Sequence, residues 1–219
     1  RGRVAPPRRE PVPDEQHQAS LLADGFAGAG WIVAKTLADR NHVTAVKGRS
    51  FDGWWQDRPG KLRSTVRRKG GKGAIAIRIA TRFSADDWAA YEQIYAKSWK
   101  PSEGSPAFLR GLAEREGMAG NLRLGLAFLE GRPVAAQFWT VDHGTAYIHK
   151  LAHDPAAQDH SPGTLLTAAM FQHVIDVDRV DLVDYGTGSD GYKAEWMEAV
   201  RPRFRLELFW PNHPANWPH

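Results

Sequence analysis

Ser161-Pro-Gly-Thr-Leu-Leu166 has the residue types that hold a phosphate through backbone groups. Proline opens helices, the N–H groups of a first helical turn have no intrahelical acceptor, and the helix dipole adds partial positive charge there. Gly163 brings no side chain that would keep an anion from those N–H groups. An ordinary helix start fits the same six residues, so both readings stand at this point. His149 and His153 are four apart, and strand alternation turns both to one face together with Tyr147 and Leu151. A metal would need a third ligand and Asp154 falls on the other face, so no metal site is expected. A base or acceptor-contact role suits His149 better. The seven basic residues between Arg58 and Lys72 are accompanied by no acidic one. They imply either an anionic partner or a solvated helical connector.

These groups need elements to position them. Residues 1–13, with four prolines and five charges, are expected to be a flexible lead-in. A helix is expected between Asp14 and Ala29, then strands at Trp31–Leu37 and His42–Val46, then the basic stretch ending in Gly70-Gly-Lys-Gly73 as a joint. Ala74–Ala80 reads as a strand, and Ser84 as the N-cap of a helix carrying Trp88, Tyr91, Tyr95 and Trp99. A second helix spans Ala107–Glu116. Strands at Leu122–Leu129, Val134–Val141 and Ala146–His153 are separated by turn-like segments and form an antiparallel meander. A helix from Gly163 to Asp176, a strand at Val180–Tyr185, a glycine-rich turn Gly186–Gly191, a helix at Tyr192–Val200 and a strand at Phe204–Trp210 follow. The expected domains are the lead-in 1–13, an N-terminal appendage and basic connector over 14–73, a catalytic-type domain over 74–210 and a tail over 211–219.

Composition bounds the alternatives. The 219 residues contain no cysteine, which excludes disulfides, thiolate metal sites and a cysteine nucleophile. Apolar runs fall short of the roughly 20 residues of a membrane span, and the start has no secretory signal, so a cytoplasmic location is expected. The chain begins with Arg1 rather than Met, which fits a processed or trimmed product. Net charge is +4, so the chain outside the basic stretch sums to −3, and the basicity is local.

The order of elements after Ala74, the Ser161-Pro-Gly-Thr turn, Asp184-Tyr-Gly-Thr-Gly and Gly191-Tyr-Lys-Ala-Glu-Trp196 resemble the GNAT acyltransferase superfamily. The nearest likeness is to its CelD/BcsL-like, FemAB-related acetyltransferase domains, in which an Arg-rich helix like Leu62-Arg-Ser-Thr-Val-Arg-Arg-Lys69 precedes the catalytic domain. The resemblance covers roughly residues 50–210. It implies an α+β fold, a mixed and mostly antiparallel sheet flanked by helices, with two central parallel strands splayed apart to admit the pantetheine arm of acetyl-CoA or another acyl-CoA. It further implies that backbone groups of His149, Lys150, Leu151, Ala152 and His153 pair with pantetheine, and that Ser161, Gly163, Thr164 and Leu165 hold the pyrophosphate. The Ser-Pro-Gly-Thr turn is poorer in arginine and glycine than is usual in the superfamily, which leaves another acyl carrier open.

Transfer to an amine needs a proton acceptor, oxyanion donors and an acid for the leaving thiolate, but no protein nucleophile. The resemblance gives Asp184 or His149 the first task, with Glu195 as a further base, and Tyr192 the last. It places Trp99, Lys100 and Glu103 on the acceptor wall, and Lys193 near an acidic acceptor or a phosphate. A turn or cap role for Asp184, core packing for Tyr192 and Trp99, and a solvated Lys193 are the plain alternatives. The partners implied are acyl-CoA and an amine on a small molecule, sugar or peptide. Fem-type relatives take aminoacyl groups from tRNA instead, and a non-catalytic anion-binding module is a third reading. Residues 14–57 are the remnant of a first GNAT-like half, or they complete the neighbouring subunit of a homodimer by exchange.

Overall fold

A computed structural model describes residues 8–188 and 191–211. One eight-stranded sheet runs through the molecule in the order β1-β8-β2-β7-β6-β5-β4-β3. The strands are β1 (Arg8–Pro13), β2 (Ile32–Ala45), β3 (Ile75–Ala80), β4 (Leu122–Leu129), β5 (Arg132–Asp142), β6 (Thr145–His153), β7 (Leu182–Thr187) and β8 (Ala199–Phe209). The helices are α1 (Gln18–Gly28), α2 (Phe51–Gln56), α3 (Gly60–Gly70), α4 (Ala85–Lys97), α5 (Pro106–Met118), α6 (Pro162–Gln172) and α7 (Lys193–Trp196). Every neighbouring pair in the sheet is antiparallel except β6 and β7. That parallel pair is matched at Thr145–Leu182, Ala146–Val183 and Tyr147–Asp184 and then parts. The expected mixed sheet with a splayed parallel pair is therefore the fold observed.

Two apolar layers cover the half of the sheet around β4–β6. On one face α4 and α5 bury Trp88, Tyr91, Ile94 and Leu109 against Leu122, Leu124, Leu126 and Phe138. Ser84 starts α4 as foreseen, its hydroxyl accepting from the Asp87 N–H. On the other face α6 lies across the sheet, so close at Gly125 that a Cβ there would sit 2.6 Å from Met170 Sδ and 3.0 Å from Leu166 Cδ1. Phe171 of α6 stacks on Trp54 of α2 at 4.5 Å and on Trp196 of α7 at 5.3 Å between ring centres, and meets Trp139 edge-on at 5.4 Å.

Several expectations need correction. The last six residues of the expected lead-in are β1, paired with β8; its first seven, Ser189 and Asp190 of the glycine-rich turn, and all of the expected tail except Pro211 lie outside the described residues. The two strands expected at Trp31–Leu37 and His42–Val46 are one strand, β2, with register shifts after Leu37 and after Asn41. The charged Asp39 between them is held in the strand by Arg203 of β8, which donates to it at 2.6 and 2.8 Å. Nor does the segment 14–73 hang from the domain as an appendage. β2 is threaded between β7 and β8, and Trp54 is buried in the α6 core. The helix expected over Tyr192–Val200 stops at Trp196, because the chain from Ala199 onward pairs with β2.

Candidate active site

Where β6 and β7 part, a cleft of about 500 Å³ opens beside the N-terminus of α6. Its walls include Leu151, Ala152 and His153 of β6, Ser161, Gly163 and Thr164 at the start of α6, Trp99 and Tyr192. Eight residues singled out in the sequence thus meet in one place.

The start of α6 is shaped by Ser161, which adopts the left-handed conformation (φ 51°, ψ 44°) and so turns the chain sharply into Pro162. The first-turn N–H groups of Gly163 and Thr164 have no acceptor four residues back within the helix. Leu165 differs from the expectation: its N–H donates to the Ser161 carbonyl at 3.1 Å and is spent on the helix. A chain of side-chain bonds fixes this turn from below. Trp139 Nε1 donates to Gln137 Oε1 at 3.0 Å, Gln137 Nε2 to Thr167 Oγ1 at 2.7 Å, and Thr167 Oγ1 to the Gly163 carbonyl at 2.8 Å. Gln137 is 1% exposed. A buried amide with both ends occupied sets one orientation of the α6 start against the sheet. Gln137, Thr167, Gln158 and Tyr185 also line the cleft and were not singled out from the sequence. The signal for Gln137 was present, a lone polar residue inside the apolar run Val134-Ala-Ala-Gln-Phe-Trp139.

The two histidines do not share a face. The β5–β6 register shifts between Phe138 and Trp139, leaving His149 as an extra residue between the pairs Trp139–Ile148 and Phe138–Lys150. His153 therefore lines the cleft, its ring 4.5 Å from that of Trp99. His149 turns to the α4/α5 side instead, its ring 5.1 Å from Phe138 and its Nε2 2.8 Å from Thr140 Oγ1. Loss of water around the rings pushes the pKa of both down; for His149 the Glu116 carboxylate offsets this in part, and for His153 the Asp154 carboxylate does.

Other assignments move further. Asp184 is buried with both carboxylate oxygens engaged: Asn41 Nδ2 donates at 2.9 and 3.2 Å, the Gly186 N–H at 2.7 Å and Arg201 at 2.9 Å. It ties β2, β7 and β8 together and does not line the cleft, so its expected task as proton acceptor gives way to a structural one. Lys193 is buried rather than solvated; its Nζ donates to the Thr187 carbonyl and sits 5.6 Å from the Tyr185 ring centre, bracing the end of β7. Glu195 is exposed and off the cleft wall. Lys150 is not on the cleft wall either, since its Nζ reaches across to Glu103 at 2.9 Å. Tyr192 faces Tyr185 edge-on at 5.9 Å within the cleft.

The basic stretch is a helix seated on α6. Arg58 is buried, donating to the Trp196 carbonyl at 3.0 Å and to Glu198, with its guanidinium 4.7 Å from the centre of the Trp54 ring. Lys69 donates to the Asp159 carbonyl, two residues before Ser161. Lys61, Arg63, Arg67, Arg68 and Lys72 are exposed. Among the described residues, no helix is long and apolar enough to cross a membrane.

A family model described as the acetyltransferase (GNAT) domain matches residues 57–194. No curated protein matches the sequence. Among solved structures the chain is similar to FemX, with TM-score 0.67 and 10% identity over 91% of this chain and 70% of that one. It is also similar to the C-terminal (DUF2156) domain of a putative lysylphosphatidylglycerol synthetase from Agrobacterium fabrum, with TM-score 0.62 and 13% identity over 90% of this chain and 67% of that one. The same holds for L-PGS from Bacillus licheniformis, with TM-score 0.61 and 13% identity over 90% and 66%. The chain spans about two thirds of the length of the latter two structures. At these identities the likeness is one of fold.

Proposed function

The chain belongs to the acetyltransferase (GNAT) domain family, and from that premise we propose that it moves an acyl group directly from a coenzyme A thioester to an amine. The observation that carries this reading is the junction of two features in one cleft: backbone exposed where β6 leaves β7, and the free first turn of α6 beside it. An extended amide-bearing arm needs unpaired strand backbone, and a pyrophosphate needs unpaired N–H groups at a helix start. Gly163 and Thr164 supply the latter, with Ser161 beside them, and Leu151 to His153 supply the former. The exposed basic residues of α3 add positive charge near the same end of α6, since Gly70 lies against Leu165.

In the reaction the amine nitrogen forms a bond to the thioester carbonyl carbon, the carbon–sulfur bond breaks, the nitrogen loses a proton and the sulfur gains one. Tyr192, whose ring is on the cleft wall, is assigned the proton given to sulfur. His149, off the cleft wall on the α4/α5 side, is assigned the proton taken from the nitrogen of an amine that enters from that side. It stands two residues past the last β6–β7 pair, loss of water around the ring lowers its pKa and so favours the neutral imidazole, and Thr140 holds the ring.

A second reading has a specific observation behind it, the exposed basic face of α3, which would suit an aminoacyl-tRNA donor. Calorimetric titration separates the two. Acetyl-CoA is expected to saturate the protein, and Gly163→Leu to weaken that binding at least about tenfold while the thermal midpoint holds. Salt-sensitive tRNA binding without affinity for CoA would overturn the first reading. Turnover unchanged in Tyr192→Phe would remove Tyr192 as the acid.

A further inference from the structure

A second cavity, of about 380 Å³, lies between α4 and α5 on the opposite face of the sheet from α6. It shares no wall residue with the cleft, but the loop after α4 separates them: Trp99 faces the cleft and Lys100 to Glu103 line the cavity. Its deep wall is aromatic. Trp88 and Tyr91 stack at 4.5 Å between ring centres, and Tyr91 and Tyr95 lie 5.9 Å apart.

What marks this cavity as a site is its unpaired acceptors. Tyr91 is 2% exposed, and its hydroxyl has no hydrogen-bond partner. Glu103 Oε2 is likewise buried with no partner at hydrogen-bond geometry, although Oε1 of the same carboxylate takes Lys150 Nζ at 2.9 Å and the Tyr95 hydroxyl lies near the carboxylate. Leaving such groups without a partner costs free energy, so a ligand carrying donors gains by pairing with them. Burial and then the nearby Glu103 charge push the Tyr91 phenol well above its ordinary pKa, so it stays a neutral hydroxyl with lone pairs to offer. Glu92, whose Oε1 accepts from Trp88 Nε1 at 3.0 Å, adds a second carboxylate to the wall. Two cations are also present. Lys150 is paired with Glu103, and Lys100 extends toward the cleft side, its Nζ 5.8 Å from the centre of the Trp99 ring.

We propose that this cavity binds a primary ammonium group, held against the aromatic wall of Trp88, Tyr91 and Tyr95 and donating to Glu103 Oε2 and the Tyr91 hydroxyl. A protonated primary amine matches the lining in three respects: a positive charge for aromatic faces and carboxylates, N–H donors for two empty acceptors, and an alkyl stem for the apolar wall. A quaternary ammonium matches only two, having no N–H. In calling this ligand part of the acceptor the inference rests on the acyltransferase reading; the acceptor then carries a second amine besides the one acylated.

The test is calorimetric titration of the full chain with butylammonium, butan-1-ol and butyrate, which share a stem and differ in charge. Butylammonium is expected to bind at least about tenfold tighter than butan-1-ol, and Glu103→Gln to weaken it by about the same factor while acetyl-CoA affinity is unchanged. Equal or tighter binding of butan-1-ol or butyrate, or unchanged butylammonium affinity in Glu103→Gln, overturns the proposal. Should Glu103→Gln melt early, Tyr91→Phe removes one hydroxyl and nothing else; undiminished butylammonium affinity there overturns it equally. A chain that binds butylammonium but no acetyl-CoA leaves this site standing and defeats the donor reading, and the reverse outcome defeats this site alone.

Discussion

The two halves of the sheet are held by different forces. From β3 to β6 the strands are pressed between α6 on one face and α4 and α5 on the other, and nearly every inward residue is aliphatic or aromatic. From β7 through β2 and β8 to β1, ion pairs join the strands and the segments at their ends: Asp39 with Arg203 and Asp184 with Arg201 between strands, Arg201 with Glu15, and Glu198 with Arg49 and Arg58 in the connections. The candidate donor cleft lies on the seam between the two. Burial of apolar area is non-directional and tolerates a gap at the seam, whereas ion pairs fix position and hold the far wall in place. An opening between strands can be kept at this seam because the two sides pair only at its Thr145–Leu182, Ala146–Val183 and Tyr147–Asp184 end.

That contrast can be broken at several points. The largest effect is expected in the apolar half, where Gly125→Leu forces a side chain into Met170 and Leu166; we expect a loss of upwards of about 4 kcal/mol in urea unfolding. Retained stability would mean that α6 can lift from the sheet. In the ion-paired half, Asp184→Ala strands Asn41 and deprives Arg201 of one partner, with an expected cost of about 3 kcal/mol, and Asp184→Asn less. Equal costs for the two variants would show that shape rather than charge matters there.

The smallest effect is in the pH dependence, and it sharpens the comparison. Burial holds His153 below its ordinary 6.5. Burial alone would raise Glu198, but the hydrogen bonds from Arg49 and Thr44 and the charge of Arg58 outweigh it and hold the carboxyl below its ordinary 4.5. Both groups resist protonation when folded, so their contributions are full above the ordinary value and are lost as pH falls through the folded one. Mild acid should therefore weaken the protein first through the histidine, and stronger acid through Glu198. Urea midpoints followed from pH 8 to 4 should show the earlier loss shrink in His153→Gln, the remainder belonging to His149, whose pKa is lowered by the same cause; an unaltered curve would count against the assignment.

Legibility from sequence followed the same divide. Strands β3 to β6 and helices α4 to α6 were readable to within a few residues because alternation and helical spacing report burial directly. β2 was split in two because Asp39 and Arg40 look solvated in one dimension, and nothing in a linear chain announces Arg203 as the partner of Asp39. The residues of the α6 turn were readable because their chemistry is local. His149 was misplaced because a bulge depends on the register of two strands, which alternation within one strand cannot reveal. Asp184 and Lys193 were taken as exposed chemistry for the same reason: their partners, Asn41, Arg201 and the Thr187 carbonyl, come from other segments.

The threading of β2 between β7 and β8 has a consequence for how the molecule is made. Ile32 pairs with Phe209, and Val43 with both Asp184 and Ala199, so β2 must wait for β7 and β8, more than 130 residues on, to emerge. The meander β4–β6 can collapse on α4 and α5 from local contacts while translation is still under way, but contacts this distant in sequence form slowly. Until β7 and β8 have emerged, β2 is an unpaired strand, open to strands of other chains. The wall that completes the cleft is then the last part of the sheet to assemble, so binding competence waits for β7 and β8 rather than for the folding of the core.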